Sequence, residues 1–383
     1  MSVARSKDGL LAAIGLMSGT SMDGIDAALV WTDGIAAVKT GAALTVPYGE
    51  ASRRRLQRTV TDRGADKKAA AKVERDITLA HIEAVERLLA ATGLSPDSID
   101  VIGFHGHTVF HNPAERITWQ IGDAELLAKR TGIGVVGQMR LADVTAGGQG
   151  APLVPLYHAA LASNLEKALA VLNIGGVANV TWLDEQGKIV AFDCGPGNAL
   201  IDDFVHARTG NLYDASGTLS LSGTADQAVV ARLLANPYFD RQPPKSLDRN
   251  AFDASDVATL SNADGAATLA AFTVQAAARS LLKLGIPKQL LVCGGGRLNR
   301  AIMAGLAAAL PDTDVAPVEK VGWRGDALEA EAFGYLAVRS LKGLPLSLPS
   351  TTGVPQPMPG GVYTPAPGRS TSGRPSVSLA AAS

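Results

Sequence analysis

An apolar run at residues 11–16 stops at a patch of small polar residues and resumes with Ile25, Ala27, Leu29 and Trp31. Such a pattern predicts strand, tight turn, strand. It returns midway along the chain. Residues 168–174 form a second apolar run of strand length, Gly175-Gly176 makes the turn, and 178–183 returns. A third strand follows each hairpin, at 36–46 in the first half and 189–192 in the second. Two sets of hairpin, third strand and alternating helices and strands restrict the chain to two α/β lobes around a cleft. The two hairpins do not align residue for residue, so the repeat is one of pattern.

The 383 residues suffice for two domains, and 46% hydrophobic content supplies a sizeable core. With 35 basic and 36 acidic residues the net charge is -1, which argues against nucleic acid as a partner. No apolar run reaches the ~18–20 residues of a membrane span. Arg5 and Lys7 ahead of residues 10–17 faintly imitate a signal peptide, but that run enters a Ser-Gly-Thr tip without a cleavage site and reads as strand one. Cys194 and Cys293 stand far apart, neither in a CxxC pair, so a zinc site or disulfide framework is not expected and a reducing cytoplasm fits.

The periodicity predicts a long helix over 69–91, stopped by Gly93, and another over 266–284. The first lobe is expected over 1–140, the second over 141–344, with the glycine-rich loop 146–152 as boundary or hinge. Residues 345–368 are expected to pack back on the first lobe, and 369–383, rich in Pro, Ser, Thr and Gly, to be disordered.

Three glycine turns could meet a ligand. Gly19, Thr20, Ser21, Met22, Asp23 and Gly24 form the first tip, where glycines let backbone N–H groups approach an anion. Asp23 would repel a bare phosphate, which suggests a metal ion alongside, Mg²⁺ being the usual companion of nucleotide phosphates. The bland reading is a polar hairpin loop. Gly175-Gly176 is the second turn. Gly294-Gly295-Gly296, between a buried strand and a helix, would put free N–H groups at a helix N-terminus. His105-Gly106-His107-Thr108 follows the strand at 101–104, with His111 behind it. The spacing matches no structural zinc motif. The histidines read either as a substrate-facing cluster or as a structural turn. Asp193 ends the strand at 189–192 before Cys194-Gly195-Pro196-Gly197. It is placed to act as a general base, the alternative being a cap for the helix that begins near Asn198.

In order along the chain stand residues 15–26, His105-Gly106-His107-Thr108, the Gly147-to-Pro155 run, Asn173-Ile174-Gly175-Gly176, Phe192-to-Asn198 and Val292-to-Gly296. Together they resemble the anhydro-N-acetylmuramic acid kinases, over residues from about 14 to about 361. The resemblance implies the sugar kinase/Hsp70/actin superfold and a homodimer. It implies ATP-dependent opening of 1,6-anhydro-N-acetylmuramic acid with phosphorylation of O6, in the recycling of peptidoglycan. Asp193 would be the base for the attacking water. Gly19 to Asp26, including Ile25, would hold ATP phosphates with Mg²⁺ on Asp23, and Gly175, Gly176 and Gly294 to Gly296 would complete the nucleotide site. His105, Arg140 and Glu329 would contact the sugar. The family usually has Gln where this chain has His107, and Asp-Phe-Arg where it has Gln138-Met139-Arg140; both departures bear on sugar recognition. A kinase for another anhydro sugar, such as levoglucosan, is the near rival. A non-catalytic nucleotide-binding regulator is the rival from another class, and Asp193 argues against it.

Overall fold

The computed structural model describes residues 9–19, 22–249 and 251–368. The expected disordered tail, 369–383, lies outside the described residues, as do Thr20 and Ser21. The first apolar run forms β1 (Leu11–Met17), which returns as β2 (Gly24–Thr32) and continues as β3 (Val38–Pro47). Next come β4 (Val101–Phe104), β5 (His107–Asn112), β6 (Ile117–Ile121) and β7 (Val135–Gly137). The second set is β8 (Leu169–Ile174), β9 (Val177–Leu183), β10 (Ile189–Pro196), β11 (Gln289–Cys293) and β12 (Asp314–Pro317). Last comes β13 (Val362–Thr364).

The sheet orders turn the repeated sequence pattern into a repeated topology. One sheet runs β13-β7-β4-β1-β2-β3 and the other β10-β9-β8-β11-β12. In each, the hairpin and third strand are antiparallel, and two further strands join parallel to the first, β4 and β7 beside β1, β11 and β12 beside β8. Both sheets are thus mixed, with the same hairpin, third strand and parallel additions, in an α/β architecture. Strands β4 and β8 are buried at every residue, as central strands must be. β5 and β6 form a separate two-stranded ribbon; residues 117–122 read as a short strand in the sequence, whereas β5 read only as a polar cluster after β4.

The chain divides into two compact units, one holding the described residues up to Ser163 with those from Ala327 onward, the other Asn164–Asp326. The division falls neither at 140/141 nor at 344/345, and local hydrogen bonds explain why. Asp143 accepts from the Gly150 N–H (2.6 Å), the Thr352 hydroxyl (2.6 Å) and the Ser347 hydroxyl. Gln149 N–H donates to the Thr352 carbonyl at 2.6 Å. These bonds knot the glycine-rich loop into the first unit. The helix Leu328–Leu341 belongs there because it packs on β1, β2 and β4.

That packing explains three glycines. Gly15 of β1 and Gly103 of β4 are register partners. A Cβ on Gly15 would overlap the Ala330 carbonyl oxygen, and one on Gly103 the Phe333 carbonyl. Gly334, on the helix, would bring a Cβ to 2.9 Å from Val30 and 3.1 Å from the Gly15 nitrogen.

Long helices begin and end where local chemistry directs. Lys67–Thr92 is capped by Asp66, which accepts from the Lys68 and Ala69 N–H groups, and ends at left-handed Gly93. Asn262–Leu282 starts earlier than its apolar periodicity suggests, because Ser261 accepts from the Asp264 N–H. Its buried small residues, Gly265, Ala266, Ala270, Ala276 and Ala277, let it lie close in the core of the second unit. Among the described residues no helix is long and apolar enough to cross a membrane. Both cysteines are buried and neither is in a disulfide.

Gly15→Ala must displace backbone rather than a side chain, and should cost about 3 kcal/mol or more in a thermal or denaturant unfolding experiment. Gly49→Ala, with nothing within 4 Å of the added carbon, should stay within about 0.5 kcal/mol of the parent. Equal effects of the two substitutions would contradict the packing described.

Candidate active site

The tip after β1 is a turn closed by the Met22 N–H on the Gly19 carbonyl at 3.1 Å, with Met22 left-handed at φ 55. Asp23 is exposed and lies 3.6 Å from the Arg53 guanidinium. Its neighbours are committed elsewhere. Gly24 is required by strand pairing, since a Cβ there would meet the Val46 carbonyl at 2.5 Å. Ile25 is fully buried in the core, and Asp26 accepts from the Thr45 hydroxyl at 2.6 Å. Among the described residues of the predicted stretch, Gly19, Met22 and Asp23 are therefore the ones that neither the core nor strand pairing claims.

Behind this tip lies a buried polar chain, of which the sequence had singled out the histidine but not its link to Ser18 and Tyr48. Ser18 Oγ is 2.7 Å from Tyr48 Oη and 2.9 Å from His107 Nδ1. His107 is fully buried, and burial lowers its pKa to about 4. His81, on the helix Lys67–Thr92, donates from Nδ1 to the Ile77 carbonyl; burial first, and then the nearby His107, take it to about 4. His105 is engaged at both ring nitrogens. Nδ1 donates to the Gly106 carbonyl (2.9 Å), and Nε2 accepts from Arg140 Nε (3.0 Å). Its ring packs on Phe333 with centroids 4.6 Å apart. Burial and the Arg140 charge hold His105 well below the ordinary imidazole range, so it is neutral and acts as the acceptor that aims Arg140. Arg140 also donates to the Gly150 carbonyl at 2.7 Å. Gln138, left-handed at φ 51, turns the chain from β7 toward Arg140. Glu329 is half-buried in the first turn of Leu328–Leu341. The fully buried acid of that helix is Glu331, which accepts from the Tyr157 hydroxyl at 2.7 Å.

In the second unit the glycine turns meet one another. The Gly175 carbonyl accepts from the Asn198 N–H (2.7 Å), and the Gly176 carbonyl from the Gly197 N–H (3.0 Å). Asn198 Nδ2 donates to the Ile174 carbonyl at 3.0 Å. A Cβ on Gly294 would overlap Asn173 and one on Gly296 would overlap Ile174, so the third turn rests on the end of β8. Gly175, Gly176, Gly197 and Gly294 to Gly296 thus surround Ile174. One expectation changes here. The three glycines lead into a short 3₁₀ turn, Gly295–Leu298, and the helix after it, Arg300–Ala309, is capped by the Asn299 side chain. Its first amides are occupied, so any anion-binding N–H groups come from the turn itself.

Asp193 is 7% exposed, on the edge strand β10, where the ladder to β9 shifts register between Asp193 and Gly195. A bulge of this kind re-aims a side chain. Asp193 Oδ2 accepts from the Leu247 N–H at 2.8 Å. The segment bearing Leu247 also contains Lys245, which is buried with its ammonium 4.4 Å from the Tyr238 ring centroid. Tyr48, Tyr238, Lys245 and Leu247 carry no motif. Only the Pro243-Pro244 turn before Lys245 marks the last two in sequence.

The profile of the family described as anhydro-N-acetylmuramic acid kinase matches residues 11–366. An anhydro-N-acetylmuramic acid kinase from Rhodospirillum rubrum is 53% identical over 365 residues, 94% of this chain and 96% of that protein. The protein of the same name from Paramagnetospirillum magneticum is 52% identical, covering 91% of this chain and 98% of its own length. That from Rhizorhabdus wittichii is 50% identical at 91% and 98% coverage.

His81, His105, His107 and His158 all lie in the first unit, and burial holds each below its ordinary value of 6.5, His158 at about 3. Unfolded, each takes a proton near pH 6.5; folded, each stays neutral. Their contribution is fully present above pH 6.5. Each loses about 1.4 kcal/mol per pH unit as pH falls from there to its folded pKa. Hydrogen exchange and thermal melts at pH 7.5, 6 and 5 should show the first unit losing protection from just below pH 6.5. A profile flat to pH 5 would contradict neutral burial.

Proposed function

This chain belongs to the anhydro-N-acetylmuramic acid kinase family, and we propose that it converts 1,6-anhydro-N-acetylmuramic acid, ATP and water into N-acetylmuramic acid 6-phosphate and ADP, a step of cell-wall sugar recycling. The observation that carries the mechanistic reading is Asp193, a buried carboxylate on a bulged strand end. It takes a proton from a water molecule whose oxygen bonds to C1. The bond from C1 to the bridge oxygen breaks, and its electron pair stays on that oxygen, which is O6. O6 bonds to the γ-phosphorus while the bond from that phosphorus to the β-phosphate oxygen breaks, and ADP leaves with the pair. The proton on Asp193 passes to solvent. A positioned base of this kind contributes ~10²–10⁴-fold, and phosphoryl transfer otherwise depends on positioning and charge neutralisation.

Gly19, Thr20, Ser21, Met22, Asp23, Gly24 and the backbone of Ile25 and Asp26 would cradle the phosphates, and Gly175, Gly176 and Gly294 to Gly296 would line the rest of the nucleotide site. Asp23 suits Mg²⁺, because it is exposed on a turn beside those N–H groups. Among the described residues no group of three His, Cys, Asp or Glu could hold a metal. Mg²⁺ in nucleotide sites is usually bound through one or two carboxylates and the substrate phosphates. Bound there, Mg²⁺ would neutralise phosphate charge. Arg140, aimed by neutral His105, would donate to the sugar, with Glu329 as a second sugar contact.

The test is ATP consumption with 1,6-anhydro-N-acetylmuramic acid and mass spectrometry of the product in ¹⁸O-water, for the parent and Asp193→Asn. The expected product is a sugar phosphate with one ¹⁸O at C1, and the variant should lose ~10²-fold or more of the rate. Phosphorylation without water uptake would overturn the role of Asp193. ATP binding without turnover would direct the search to other anhydro sugars, with His107 and Gln138 as the residues responsible.

A further inference from the structure

An edge strand leaves one row of N–H and C=O groups without ladder partners. On β10 that row is taken up at Asp193 by one short stretch of chain. The Asp193 N–H donates to the Lys245 carbonyl at 3.1 Å. The Asp193 carbonyl accepts from the Tyr238 hydroxyl at 2.5 Å. The Asp193 carboxylate accepts from the Leu247 N–H at 2.8 Å. Lys245 Nζ then donates to the Tyr238 carbonyl at 3.0 Å, which ties the two ends of the stretch together. Amide, carbonyl and carboxylate of one residue are thus held by groups ten positions or fewer apart in sequence.

We infer that residues 238–247 form a clamp that sets the orientation and basicity of Asp193, with Tyr238 and Lys245 as its positioning residues. The inference rests on the reading of Asp193 as the base. Both side chains suit the task. Burial first, and then the Asp193 charge, push the Tyr238 phenol well above its ordinary value, so it remains a donor at every working pH. Lys245 is 7% exposed and lies over the Tyr238 ring, with Phe192 5.6 Å away on β10. Burial takes its pKa to about 8. A long flexible side chain fixed in this way gives up rotamer freedom and solvation, which a loop serving only to cover an edge would not require. The Leu247 N–H bonds a carboxylate oxygen, an interaction that favours the charged form of the carboxyl over the protonated one. Loosening the clamp weakens that bond, so the pKa of the base should rise.

Tyr238→Phe keeps the ring and deletes the hydroxyl. Measured from pH 5 to 9 with saturating ATP and sugar, it should lower kcat by about tenfold or more while both KM values stay within about twofold, since misplacing a reacting group by about an ångström can cost 10²-fold. The acidic limb of the kcat profile should move to higher pH. Lys245→Met, which removes the tie but not the phenol, should move the limb the same way. It also keeps the test open if Tyr238→Phe does not fold. Should either folded variant lower the melting temperature while leaving kcat and its acidic limb as in the parent, the clamp is structural only and the inference falls. Asp193→Asn separates the two readings. If it turns over normally, the base assignment fails. If it is inactive while the clamp variants match the parent, the clamp alone fails.

Discussion

Direct backbone contact between the helix Leu328–Leu341 and the strands β1 and β4 is the constraint on which the first unit depends. Gly15 and Gly103 leave no side chain on one face of the sheet, and the Ala330 and Phe333 carbonyls occupy that space. Glycine inside a strand costs roughly 0.5–1 kcal/mol relative to alanine. Here the cost is offset by a helix seated nearer the sheet than any Cβ would allow. The helix also sets the site. It brings Phe333 against the His105 ring, and His105 aims Arg140. It buries Glu331 against the Tyr157 hydroxyl.

The two units handle buried polarity differently. The first relies on neutral imidazoles. Ser18, Tyr48 and His107 form one short chain, and His105 accepts from a cation rather than becoming one. Desolvation decides their protonation, because an unpaired buried charge would cost far more than a neutral ring. The second unit keeps a carboxylate and an ammonium near one strand edge, each with its own hydrogen bonds. Lys245 Nζ donates to the Tyr238 carbonyl while the Asp193 carboxylate accepts from the Leu247 N–H, so each buried charge is satisfied by backbone groups.

Much of the architecture was legible because hydrophobic periodicity and turn chemistry are local. The two hairpins, the buried strands β4, β8 and β11, and the helix ended by Gly93 follow from runs of a few residues. The glycine turns and Asp193 could be picked out because strand ends followed by glycine are legible in one dimension. β5 and β13 were less visible, since short strands with mixed polarity owe their existence to the partner they pair with. The loop 146–152 read as a boundary or hinge because glycine content does not reveal that Asp143 ties it to Ser347 and Thr352.

The sequence by itself determined the family, the doubled α/β pattern and the residue types that chemistry would use. Those are properties of order and spacing, which motifs preserve. Tertiary structure alone decided which of them are free to act. It put Ile25 into the core and assigned Gly24 to strand pairing. It turned His105 from a sugar-facing ring into the acceptor that aims Arg140, and capped the helix after Gly296 with Asn299. It brought Tyr238, Lys245 and Leu247 to Asp193 across 45 to 54 positions of chain. A hydrogen-bond partner that distant leaves no local mark, because its selection depends on geometry that exists only once both strand edge and loop are folded.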